Sequence, residues 1–126
     1  MSKPPPTKSG QSHPTEVGGI PVYVVQKPGQ PAMLRLIKGP DAPQAYALEL
    51  PEMVIGRGEE ANIVIESASV SRRHARLRRM DRGFLCEDLG SSNGVFVNGT
   101  RRESAKIQNG DTLQIGDALF VFQAST

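Results

Sequence analysis

The chain has 126 residues, 37% of them apolar and 22% charged, with a formal net charge of +2. A chain of this length suits one compact domain, and the near balance of acidic and basic groups excludes a strongly cationic protein built to coat a polyanion. The single cysteine, Cys86, excludes an intrachain disulfide and a cysteine-based metal cage, and no apolar run approaches the roughly 20 residues of a membrane span.

The opening stretch MSKPPPTKSGQSHPTE is dominated by Pro, Ser, Lys and Gln. Such a composition buries too little apolar surface to offset chain entropy, so residues 1–16 are expected to be a disordered tail and residues 1–31 a flexible, Pro-rich linker. There is no apolar signal-peptide core, which together with the cysteine usage predicts a cytoplasmic protein. Residues 20–26 (IPVYVVQ) are β-branched and aromatic enough for a short strand, although Pro21 argues against a central place in a sheet.

From residue 32 onward, short runs of strand type recur between turn residues: AMLRLIKG, AYALEL, MVIG, NIVIE, HARLRRM, GFLCEDL, VFVNG, DTLQIG and ALFVFQ. Leu34 and Leu36 alternate with Arg35 and Ile37, Ala75 and Leu77 with Arg76 and Arg78, and Leu113 and Ile115 with Thr112 and Gln114. One face of each strand is therefore buried. Closely spaced strands leave no room for helical crossovers, so residues 32–126 predict an all-β sandwich with its function in the loops.

Those loops are distinctive. Gly56-Arg57 follows one strand, Ser71-Arg72-Arg73-His74 precedes another, Ser91-Ser92-Asn93-Gly94 follows a third, and Val97-Asn98-Gly99 makes a tight turn. Together with Asp88-Leu89-Gly90 and Asn109-Gly110-Asp111, this ordered set resembles the forkhead-associated (FHA) domain, a phosphothreonine-binding module, over residues 33–123. The resemblance implies a sandwich of two antiparallel sheets with about eleven strands, whose loops at one end grip a phosphothreonine in an extended peptide. It implies neither catalytic chemistry nor a cofactor. Carried over residue by residue, it makes Arg57 the phosphate clamp and Ser71 a hydroxyl donor to the phosphate. Arg72 and Arg73 lie at or beside the phosphate, Ser92 supplies a second hydroxyl, and Asn93 bonds the peptide backbone. His74 becomes a brace for its loop. The loop before Ser71, where the family selects the third residue after the phosphothreonine, holds the small residues Ser67, Ala68 and Ser69 after Glu66. Val95 stands where the family often has threonine.

The residue chemistry agrees with that implication. A phosphomonoester carries about −1.5 to −2 charges near neutral pH and three acceptor oxygens. A guanidinium presents two parallel donors to two of those oxygens, which the point charge of lysine cannot reproduce. Taken singly, Arg57 reads as a solvated charge, Ser71 as a cap and Asn93-Gly94 as a turn with positive φ. Their shared order outweighs that reading. Gly56, Gly94, Asn98 and Gly99 are assigned structural roles, as backbone freedom at turns that hold the loops in position.

Other chemistries fare worse. Ser71, His74 and Asp88 offer the elements of a hydrolase triad, but Ser71 lies in no Gly-x-Ser-x-Gly elbow. His13 in the tail is the only other histidine, which leaves no convincing metal set, and no P-loop ending follows Gly56-Arg57-Gly58. Cys86 reads as a small buried hydrophobe. A nucleic-acid surface on Arg76, Arg78, Arg79 and Arg82 is the alternative function, but aromatics are 5% of the chain and tryptophan is absent, so the stacking side chains of single-strand readers are missing. A phosphate-independent interaction scaffold is the other alternative. The expected partner is a phosphothreonine protein produced by a Ser/Thr kinase, and Thr7 and Thr15 in the tail are candidates for an internal ligand.

Overall fold

The computed structural model describes residues 11–17, 20–25 and 31–125. Strands β1 (Gln11–Val17) and β2 (Ile20–Val25) pair antiparallel as a separate two-stranded sheet, with Val17 opposite Ile20. β2 falls where the short strand was expected, and Pro21 stands in a strand with a single hydrogen-bonded neighbour. β1 takes up part of the stretch whose composition predicts a tail without fixed structure. Composition does not register local pairing: two glycines separate the paired ends in sequence, the residue type that a two-residue hairpin connection favours. Residues 1–10 of that predicted tail lie outside the described residues.

The alternation read from the sequence sets the two layers of the main body. One sheet comprises β3 (Ala32–Lys38), β4 (Gln44–Leu48), β9 (Val95–Val97), β10 (Thr100–Arg101), β12 (Thr112–Ile115) and β13 (Ala118–Gln123), in the order β10-β9-β12-β13-β3-β4. The other comprises β5 (Glu52–Gly56), β6 (Ile63–Val64), β7 (Ala75–Arg79), β8 (Phe84–Asp88) and β11 (Ser104–Ile107), in the order β11-β8-β7-β5-β6. Among the described residues only the short β5–β6 pair is parallel. Leu34, Leu36, Leu113, Ile115, Phe120 and Phe122 of the first sheet face Ile55, Ala75, Leu77, Phe84, Cys86 and Ile107 of the second, all in one buried core. Phe84 and Phe122 meet edge to face with centroids 5.8 Å apart, and burying one such side chain contributes about 1.5–3 kcal/mol. Among the described residues there is no helix, and so none long and apolar enough to cross a membrane.

The outer face of the five-stranded sheet carries the basic strand. Arg76 Nε donates to Glu87 Oε1 at 3.0 Å, while Arg78 lies 3.5 Å from Glu52 and 3.4 Å from Glu87. Arg79 donates to the Leu48 carbonyl and stands over the Phe84 ring. Arg76 and Arg78 thus meet carboxylates within the sheet, whereas Arg79 is held by a carbonyl and a ring.

Cys86 is 1% exposed, and its thiol is pushed up to about 12 by burial and then by the charges of Asp88 and Glu87. Only the thiolate is a competent nucleophile. A thiol reagent near neutral pH is therefore expected to spare Cys86 in the folded domain and label it only on unfolding; labelling of the native protein at a free-thiol rate contradicts this.

Candidate functional site

Three loops meet at one end of the sandwich: β5–β6, β6–β7 and β8–β9. The first two are stapled by backbone. Arg57 N–H donates to Ser71 O at 2.9 Å and Gly58 N–H to Arg72 O at 3.1 Å. This approach is why residue 56 is glycine, since a Cβ there would lie 2.0 Å from the Arg72 carbonyl oxygen. Arg57 leaves this junction exposed, and its Nε donates to the Val70 carbonyl at 3.0 Å. That bond fixes the guanidinium plane and, among the described residues, leaves the terminal nitrogens unspent. No ion pair engages Arg57 or Arg73 among the described residues, whereas Arg72 reaches Glu60 at 3.4 Å. A backbone hydrogen bond at its own residue, then the Arg72 guanidinium, hold the Glu60 carboxyl below its usual value. Both side chains are exposed, so the pair is a weak, screened one.

His74 joins the second loop to the third. It is fully buried, and its Nδ1 lies 3.0 Å from the Ser71 backbone N–H, so Nδ1 must accept. Nε2 therefore carries the proton and donates to the Gly94 carbonyl at 2.8 Å. Both ring nitrogens are occupied by backbone. The Asp88 carboxylate accepts the Ser91 N–H at 2.9 Å instead of reaching His74, so Ser71, His74 and Asp88 form no proton relay.

Ser71 Oγ accepts the Ser92 N–H at 3.2 Å, which leaves its own O–H free to donate outward. Gly94 N–H donates to Ser91 Oγ at 2.9 Å, closing the third loop on itself. Gly94 has φ +84°, and a Cβ there would strike the Arg101 guanidinium. Asn93 Nδ2 donates to Ser69 O at 2.7 Å, so its amide has one orientation, with Oδ1 and the second N–H unspent among the described residues. Ser92 and Asn93 are exposed. Asn98 and Gly99, at φ 51° and 83°, form the two-residue turn between β9 and β10. Asn98 Oδ1 accepts Thr112 N–H at 2.9 Å, which ties that turn to β12, away from the loop junction.

Arg57, Ser71, Arg72, Arg73, Ser92 and Asn93 thus come from three loops joined by short hydrogen bonds, with Gly56, His74 and Gly94 beneath them. Sequence reasoning missed the Val70 and Ser69 carbonyls that orient Arg57 and Asn93. A backbone acceptor leaves no residue signature. Among the described residues, no three His, Cys, Asp or Glu side chains come together to hold a metal ion. The arrangement offers a fixed guanidinium, free hydroxyl donors and an oriented amide, a set matched to an anion carried on a peptide.

A family model of the FHA domain matches residues 53–116. The oxoglutarate dehydrogenase inhibitor of Corynebacterium diphtheriae is 40% identical over 98 residues, covering 78% of this chain and 68% of that protein. A structure solved in a structural and functional analysis of phosphothreonine-dependent FHA domain interactions has a TM-score of 0.67 at 28% identity, over 73% of this chain and 94% of its own. EmbR of Mycobacterium tuberculosis, solved with a low-affinity phosphopeptide, has a TM-score of 0.70 at 35% identity, over 81% of this chain and 26% of its own. The domain match, the curated relative and the eleven-stranded sandwich agree, and the chain belongs to the FHA domain family.

Proposed function

We propose that this FHA domain is a phosphothreonine-dependent binding module, a non-enzymatic regulator in cytoplasmic Ser/Thr kinase signalling. The observation that carries the reading is Arg57: its guanidinium is fixed by the Val70 carbonyl, free of any acidic partner among the described residues, and beside a serine whose O–H is unspent. In this reading Arg57 grips two phosphate oxygens, and Ser71 and Ser92 give hydroxyl donors. Arg73, with Arg72 held partly by Glu60, adds positive potential, and Asn93 bonds the backbone of the extended peptide.

The titration that tests it compares a phosphothreonine peptide pool with its unphosphorylated twin. Micromolar binding of the first and none of the second is expected; equal binding of both would turn the surface into a phosphate-independent scaffold. A nucleic-acid role is disfavoured because Arg76 and Arg78 are paired with Glu87 and Glu52. Thr7 and Thr15 are the internal ligands to test, since a tethered phosphothreonine competes at high effective concentration. Thr15 stands opposite Val22 in the β1–β2 pair. Phosphorylating the tail should then shift the amides of Arg57 and Ser71, and unmoved amides dispose of the internal ligand.

A further inference from the structure

We propose that Asp117, on the turn between β12 and β13, is a positioning residue for peptide binding that acts through Ser69 on Asn93. The inference rests on the phosphopeptide reading above and adds a residue outside the three loops that carry it.

Ser69 is gripped at two points by one residue. Its Oγ–H donates to Asp117 Oδ1 at 3.0 Å, and the Asp117 backbone N–H donates back to the same oxygen at 2.9 Å. Ser67 Oγ lies 2.9 Å from Ser69 Oγ and accepts the Ser69 N–H at 3.3 Å, which closes the loop around that hydroxyl. Gly116, at φ +59°, presses the turn against it: a Cβ there would stand 2.5 Å from Ser69 Oγ and 2.7 Å from Ser69 O. Hydrogen bonds from the Ser67 and Ser69 hydroxyls hold the Asp117 carboxyl below its usual value, so it remains a charged acceptor through neutral pH.

The Ser69 carbonyl fixed in this way is the acceptor of Asn93 Nδ2. An asparagine head has a donor side and an acceptor side, and turning it over exchanges one for the other. Holding Nδ2 on Ser69 O therefore decides what Asn93 offers a peptide: Oδ1 and one N–H, in fixed directions. Because β12 and β13 lie within the six-stranded sheet and Ser69 lies on a loop of the five-stranded one, the contact braces the binding loops against the opposite layer.

Asp117→Ala, Asn93→Ala and the double variant are titrated with one phosphothreonine peptide. Asp117→Ala should weaken binding about three- to tenfold, the size of one lost hydrogen bond, and Asp117→Asn, which keeps an acceptor for Ser69, should restore most of it. In the Asn93→Ala background, Asp117→Ala should have no further effect. An equal loss in both backgrounds, or none in the parent, overturns the proposal. The Asn93 side-chain amide resonances of the free protein supply a readout that needs no peptide: Asp117→Ala should shift them, and unmoved resonances also overturn it. If the parent binds no phosphopeptide, the binding function fails, while these resonances still decide whether Asp117 holds Asn93.

Discussion

Arg57→Ala is expected to lower the affinity for a phosphothreonine peptide by at least about thirtyfold, since truncating one member of a hydrogen-bonded charge pair costs about 2 to 5 kcal/mol. The loss is of binding and not of folding. The side chain is exposed and its one structural bond, to the Val70 carbonyl, is worth about 0.5–1.5 kcal/mol. Arg57→Lys separates charge from geometry. Lysine keeps the positive potential but cannot bond Val70 O and still present two parallel donors, so its affinity should fall between the parent and the alanine variant. Titration of the three proteins, with thermal unfolding as a control, checks this. Unchanged affinity in Arg57→Ala would place the phosphate elsewhere, with Arg73, unpaired among the described residues, next in line.

The layers were legible because burial writes a period of two into each strand: Leu34 and Leu36, Ala75 and Leu77, and Leu113 and Ile115 are all buried as their alternation predicts. Two strands of the sandwich were not read. β11 alternates strictly, with Ala105 and Ile107 buried and Ser104 and Lys106 exposed, but Ile107 is its one β-branched residue and it has no aromatic, so it carries little of the signal that drew the other runs. β10 is two residues long and exists because the Asn98-Gly99 turn folds it back on β9. At the candidate site, the side chains were legible through an ordered resemblance, and the contacts that orient them were not. Ser69 and Asp117 stand 48 residues apart, and only the packing of one sheet's turn against the other sheet's loop brings them together. Arg76 and Arg78 look in sequence like the continuation of a phosphate-binding run. Strand pairing set Arg76 opposite Glu87 and Arg78 opposite Glu52, and so neutralised them.

His74→Ala is expected to carry the largest cost in stability, with binding lost as a consequence. The ring is fully buried, so its removal leaves a cavity and strands the Ser71 N–H and the Gly94 carbonyl, two groups that no water-facing side chain replaces. One unsatisfied buried polar group costs about 1–3 kcal/mol, so two and a cavity together exceed about 3 kcal/mol, a large share of the 5–15 typical of a domain. The thermal midpoint should fall by at least about 12 °C. His74→Phe refills the volume while leaving both backbone groups unpaired, so it isolates the hydrogen-bond part of the loss and should remain clearly less stable than the parent. Below its melting point, that variant should bind phosphopeptide more weakly, because Ser71 and the Asn93-Gly94 loop are no longer held at one spacing. The brace also requires a neutral ring: an imidazolium would set its Nδ1–H against the Ser71 N–H, donor against donor. A midpoint within two or three degrees of the parent in both variants would show that the loops hold one another without His74, and would remove the physical reason for a histidine at the centre of this site.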